Sequence, residues 1–179
     1  MKTFVASSPK VEVNGETVYA IVDGMASFKT TALKILEENG IHDPKPGLWY
    51  SQQSWLNAFK TIAEHIGTLT LNSIGQKIPE NAKFPPEIND IHKALSVIDV
   101  AYQMNHRNGK IGNYIYEKTG DRSAKIVCTN PYPDEFDKGI IMAMAKKFRL
   151  PVFNLNVKID ESQPVRMKGG DSTNFIITL

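Results

Sequence analysis

Around residue 110 the hydrophobic period of this chain changes. Before that point apolar residues recur every three or four positions, as in Trp55, Phe59, Ile62 and Ile66, and again in Ile88, Ile91, Leu95, Ile98, Tyr102 and Met104. After it, residues 111–118 and 124–128 alternate between apolar and polar. Spacings of three and four place apolar groups on one helix face, whereas a spacing of two places them on one face of a strand. A helix-rich front half must therefore meet a strand-rich back half. The late strands have short connections, so they are expected to pair antiparallel. This order specifies an α+β fold, with a helical half packed on an antiparallel sheet in the C-terminal half.

The front half is expected to open with a β-hairpin within residues 3–24. Val11-Glu12-Val13 leads into Asn14-Gly15, a pair suited to a tight turn, and Thr17–Val22 reads as the return strand. Helices are predicted from Ser27 to Asn39, with Gly40 as the stop, and from Ser51 to His65, closed by Gly67. Leu69, Leu71, Ile74 and Ile78 predict a third helix, made less regular by Gly75. Residues 79–86 hold three prolines and predict a loop, after which one long helix should run from near Pro86 to near His106. In the back half, Gly120-Asp121-Arg122 turns one strand into the next, and Pro131 and Pro133 prevent the second from continuing. A helix follows over 134–148, then strands over 152–159 and 173–179 around a Gly169-Gly170-Asp171 turn.

A length of 179 residues fits one domain, 1–179, large enough to be stable without metal or disulfide. The net charge of +2 is too small for a dedicated nucleic-acid binder. Its densest basic runs, 146–149 and 166–168, are short, and the first suits the end of a helix. Cys128 is the sole cysteine, which excludes an intramolecular disulfide and fits a cytoplasmic chain. The N-terminus lacks the apolar core of a signal peptide, and no run approaches the roughly 18 apolar residues of a membrane span. A soluble protein is expected.

No nucleotide-binding fingerprint is present, because the glycine-rich Gly169–Thr173 segment lacks Walker spacing and its lysine. The four histidines, His42, His65, His92 and His106, do not form a zinc pattern. His65 and His106 are each expected at a helix C-terminus, where an imidazolium is favoured by the dipole. His106 also falls at the helix-to-strand junction, where an imidazole can ligate a haem iron. The dipole role is the first expectation for it and haem the lesser one. Asp134, Glu135 and Asp137 fit the first turn of a helix, and Cys128 fits a buried, inert thiol. The aromatics are more informative. Trp55 and Phe59 share one helix, Tyr102 lies near the junction, and Tyr114 and Tyr116 share a strand face. Ordinary core packing accounts for such residues, and so does a ligand pocket lined by apolar rings with a few polar tips.

Three segments resemble the 4-vinyl-reductase-like domain family: Gly112–Glu117, Asn130–Gly139 and Gly169–Ile177. The resemblance covers about residues 50–179. It implies a small-molecule-binding domain related in fold to haem-nitric-oxide-binding domains and to Bet3-type transport subunits. Relatives often carry two cysteines around the terminal glycine turn. The matching positions here are Val165 and Thr173, so a metal is not expected there. The combined reading is a ligand-binding or sensory module for a small hydrophobic molecule, tetrapyrrole-like or otherwise apolar. Its pocket would be lined by Trp55, Phe59, Tyr102, His106, Tyr114 and Tyr116. Two alternatives stand beside it: an enzyme of tetrapyrrole-related metabolism using His106 or Glu117, and a scaffold subunit that forms a homodimer through an apolar helix face.

Overall fold

The computed structural model describes residues 1–80, 85–148 and 154–179. The predicted strand onset at Val152, the Arg149 end of the first basic run and part of the 79–86 segment lie outside the described residues. The chain forms β1 (Glu12–Asn14), α1 (Gly15–Gly24), α2 (Lys29–Glu38), β2 (Trp49–Ser51), α3 (Gln52–His65) and α4 (Thr68–Glu80). It continues with α5 (Ile91–Ser96), α6 (Ile98–Met104), β3 (His106–Arg107), β4 (Tyr114–Gly120), β5 (Ser123–Cys128), α7 (Asp134–Phe148), β6 (Asn156–Ile159) and β7 (Thr173–Thr178). A small sheet has the order β2-β1-β3, and a four-stranded sheet the order β4-β5-β7-β6. Every pairing in both is antiparallel. The α+β class holds.

The N-terminal hairpin does not. Asn14 is extended, and its side-chain oxygen accepts the Thr17 backbone N–H at 2.9 Å, so it caps α1 instead of turning a hairpin. Gly15 serves close approach: a Cβ there would lie 1.9 Å from the Lys45 carbonyl oxygen. Residues 17–22 have the β-branched content of a strand, but Val18, Ile21, Val22 and Met25 are all buried. Those positions are i, i+3, i+4 and i+7, the stripe of a helix. Burial of that stripe outweighs strand propensity. The strand β1 instead pairs with β2 and β3, so the small sheet joins three distant segments.

The predicted long helix is also divided. Asp90 caps its start by accepting the Lys93 N–H at 2.9 Å, and the helix breaks at Val97. The Lys93 carbonyl there receives the Ser96 hydroxyl at 2.9 Å as well as the Val97 N–H at 3.3 Å. A serine bonding back to the preceding turn competes with the helical ladder. As a result Met104, predicted on the buried face, is exposed, and His106 leaves the helix for β3.

Helix α4 runs against α7 at close range through two glycines. A Cβ at Gly75 would lie 2.1 Å from the Phe136 carbonyl oxygen, and one at Gly139 would lie 2.2 Å from that of Asn72. Gly75 is therefore a contact surface and not an irregularity. The buried apolar residues form one cluster that includes Val11 near the start, Trp55 and Phe59 on α3, and Phe175 and Ile177 on β7. No described helix is long and apolar enough to cross a membrane.

Candidate functional site

The helical half and the four-stranded sheet meet at Tyr132, in the short segment between β5 and α7. Pro131 and Pro133 restrict the backbone on either side of it. Its ring centroid lies 5.1 Å from that of Trp55, 5.9 Å from Phe59, 5.4 Å from Phe136, 6.0 Å from Tyr102 and 5.7 Å from His106. Tyr102 in turn meets Tyr114 edge-on at 5.1 Å. Five of the six predicted pocket residues thus converge, with Tyr132 as the hub. Tyr116 shares a strand face with Tyr114 as expected, but stands apart, with its hydroxyl on His92 at 2.7 Å.

Within the hub the rings pack on one another. Trp55, Phe59 and Tyr132 are essentially inaccessible, and their rings pack edge to face. Two clefts of about 570 and 470 Å³ open on the surface elsewhere. One is bordered by Pro9, Lys10, Glu12, Ser51 and Asn108, and the other runs along β6 and β7.

A directed chain of hydrogen bonds crosses the seam. His106 Nδ1 lies 2.8 Å from the Tyr102 carbonyl oxygen, which can only accept, so this nitrogen carries the proton. His106 Nε2 then presents a lone pair and accepts the Tyr132 hydroxyl at 2.6 Å. The Tyr132 oxygen accepts the Gln52 amide N–H at 3.1 Å. Burial lowers the His106 pKa to about 4, against a smaller opposing effect of its bond to Tyr102, and the imidazole is neutral at physiological pH. Burial likewise raises the Tyr132 phenol, which stays protonated. Two polar atoms beside this chain have no partner: the Gln52 Oε1 acceptor and the Trp55 Nε1 donor. They sit at i and i+3, on one face at the start of α3.

A second network adjoins the first, because the Tyr132 N–H donates to Asn130 Oδ1 at 2.9 Å. At its centre the guanidinium of Arg166 uses all five of its donors. They reach Thr173 Oγ1 at 3.2 Å, the Asn130 carbonyl at 2.7 Å, Asn130 Oδ1 at 2.5 Å, Asp134 at 2.7 Å and Asp137 at 2.5 Å. Tyr114 donates its hydroxyl to Asp137, and Thr173 donates to Asp134 at 2.7 Å. All these side chains are buried. Burial raises the Asp137 pKa, opposed by the nearby guanidinium and the bond from Tyr114. Burial disfavours the charge of Arg166, but the two carboxylates hold its pKa above the ordinary value. Asp134, Glu135 and Asp137 stand in the first turn of α7 as expected, and Asp134 and Asp137 are in addition buried against Arg166. Glu135 is partly buried beside Lys138 at 3.5 Å. Cys128 is buried and its thiol is pushed up by desolvation, as expected for an inert cysteine.

Sequence reasoning missed Gln52, Asn130, Tyr132 and Arg166. Arg166 sat in one of the two densest basic runs, and Tyr132 between two prolines read only as a strand terminator. The paired prolines were the available signal, because they fix the direction in which the intervening side chain points.

For haem, neither the buried His106 nor the half-buried His92 offers an open axial ligand. His106 Nε2 is capped by Tyr132. His92 donates from Nε2 to the Asp121 carbonyl at 3.0 Å, leaving Nδ1 as the acceptor for Tyr116. No group of three or more His, Cys, Asp and Glu side chains suited to a metal ion occurs among the described residues.

The same fold occurs in H-NOX proteins of known structure. One from S. oneidensis in the Fe(II) ligation state is 13% identical, with 93% of this chain and 95% of that chain covered at a TM-score of 0.69. A second, from K. algicida, also Fe(II) and unliganded, is 12% identical, covers 92% and 95%, and has a TM-score of 0.64. A third, from T. tengcongensis, is 13% identical, covers 92% and 96%, and has a TM-score of 0.66. At such identity the likeness establishes the fold. It agrees with the expected relation to haem-nitric-oxide-binding domains. No protein-family model and no curated protein matches the chain.

Proposed function

We propose that residues 1–179 form one ligand-binding sensory domain, in which a small apolar molecule is received at the seam around Tyr132. The observation that carries this reading is the pair of unpartnered buried atoms, Gln52 Oε1 and Trp55 Nε1. Leaving such a group unpaired costs about 1–3 kcal/mol. A ligand with one donor and one acceptor on an apolar body satisfies both and gains about 25 cal/mol per Å² of apolar burial. The fold supports the same reading, since the H-NOX structures it resembles include work on haem distortion and Fe(II) ligation.

A ligand seated on Gln52 and Trp55 shifts Tyr132 through its bond from the Gln52 amide, while the Tyr132 hydroxyl keeps its bond to His106. The displacement passes to Asn130 through the Tyr132 backbone N–H. Asn130 holds Arg166, so ligand occupancy is felt at β7 through Thr173. A ligand that favours the displaced state shifts the population toward it, which is what a sensor requires.

The test is native mass spectrometry of freshly purified protein, followed by Trp fluorescence titrations in a Trp49→Phe background. A bound small molecule, or a saturable change in Trp55 emission weakened about tenfold or more by Gln52→Leu, is expected. A bare chain with no saturable response to a panel of apolar ligands would remove the proposal.

The scaffold reading retains one observation. Val100 and Met104, one turn apart on α6, are 58% and 75% exposed. Light scattering over a wide concentration range decides whether the chain self-associates through them. The enzyme reading finds less support, because Glu117 is exposed and paired with Lys125 at 2.5 Å, away from the aromatic hub.

A further inference from the structure

We infer that neither His106 nor His92 of this H-NOX-fold chain is an iron ligand, because each has its lone-pair nitrogen committed to a tyrosine hydroxyl. The two cases are built independently and with opposite tautomers. In His106 the backbone carbonyl of Tyr102 takes the Nδ1 proton, and Tyr132 occupies Nε2 at 2.6 Å. In His92 the carbonyl of Asp121 takes the Nε2 proton, and Tyr116 occupies Nδ1 at 2.7 Å. An imidazole-bound metal sits about 2 Å from the ring nitrogen. The phenolic oxygens already lie along that approach.

Space reinforces the point at His106. Moving the Tyr132 hydroxyl means moving its ring, and that ring is wedged against Trp55, Phe59 and Phe136 at centroid distances of 5.1, 5.9 and 5.4 Å. A porphyrin face cannot stand before Nε2 while Tyr132 remains there. A backbone carbonyl behind the opposite nitrogen is the usual support of a ligating histidine. The second half of that arrangement, an open lone pair facing a cavity, is replaced here by a tyrosine. His42 and His65 are exposed, His42 beside Glu37 at 3.7 Å and His65 on the Thr61 carbonyl at 3.0 Å. Neither faces the seam. This narrows the ligand class of the proposed seat to non-porphyrin molecules, and it stands whether or not that seat is filled.

The intact chain is titrated with haemin, reduced and unreduced, beside His92→Ala and His106→Ala. The expected result is that neither substitution alters the Soret response of the wild type. A saturable one-to-one Soret shift that is lost in either variant overturns the inference. Because His106→Ala could disturb folding, the wild type is also read by nitrogen-15 NMR of its imidazoles. His106 should show the Nδ1–H tautomer and His92 the Nε2–H tautomer, both unchanged by haemin. Tyr132→Phe should shift the acceptor nitrogen of His106 alone, and Tyr116→Phe that of His92 alone. Either histidine in the opposite tautomer, or broadened by haemin at its lone-pair nitrogen, refutes the assignment.

Discussion

Acidification should destabilise this protein through His106 well before its carboxylates dominate. In the unfolded chain that imidazole takes a proton near 6.5, and in the folded chain only near about 4. Between those values the unfolded state binds more protons, so stability falls as the pH falls. Above 6.5 the contribution is fully present, and below about 4 both states are protonated and no more is lost. At about 1.4 kcal/mol per pH unit the whole interval is worth roughly 3 kcal/mol, and roughly 2 of it is gone by about pH 5. That is a large share of the roughly 5–15 kcal/mol that holds a domain together. The assay is urea unfolding of the wild type and His106→Gln at a series of pH values from neutral to about 4.5. The variant lacks this titration but shares every carboxylate, so the difference between the two curves isolates it. The wild-type advantage should shrink by roughly 2–3 kcal/mol across the series. A difference that stays flat would refute a neutral, buried His106 locked between Tyr102 and Tyr132.

Two further outcomes test the packing. Arg166→Met should destabilise by about 3–5 kcal/mol in denaturant unfolding, because it leaves Asp134 and Asp137 buried without their counter-charge. Gly75→Ala should cost about 1–3 kcal/mol or more, since the added methyl meets the Phe136 carbonyl backbone and not a side chain that can move. A thermal scan showing no loss of melting temperature would contradict the close α4–α7 contact.

The elements that could be read from the sequence were those whose signal is local. The Trp55–Phe59–Ile62 stripe gave α3, with Ser51 as its cap, and the run from Asp134 to Phe148 gave α7 residue for residue. Alternation gave β4, β5 and β7. Residues 15–24 were misread because Asn-Gly and β-branched residues carry a strong hairpin signal. The competing helical stripe of Val18, Ile21, Val22 and Met25 was present but gains its weight from what it is buried against. The aromatic members of the seam were also legible, since large rings at helical spacing must be covered by something. Whether they would surround a space or fill one was not legible, because that depends on Tyr132 arriving from another segment. The Arg166 network lay further out of reach. Its members come from 130, 134, 137, 166 and 173, and each, taken alone, has the composition of a solvated surface. A chain's periodicity fixes which faces must be buried, and so its class and most of its elements. Only the tertiary fold decides which buried polar atoms meet and which, like Gln52 Oε1 and Trp55 Nε1, are left facing nothing. Hydrogen-bond satisfaction depends on distances between atoms that the order of residues does not encode.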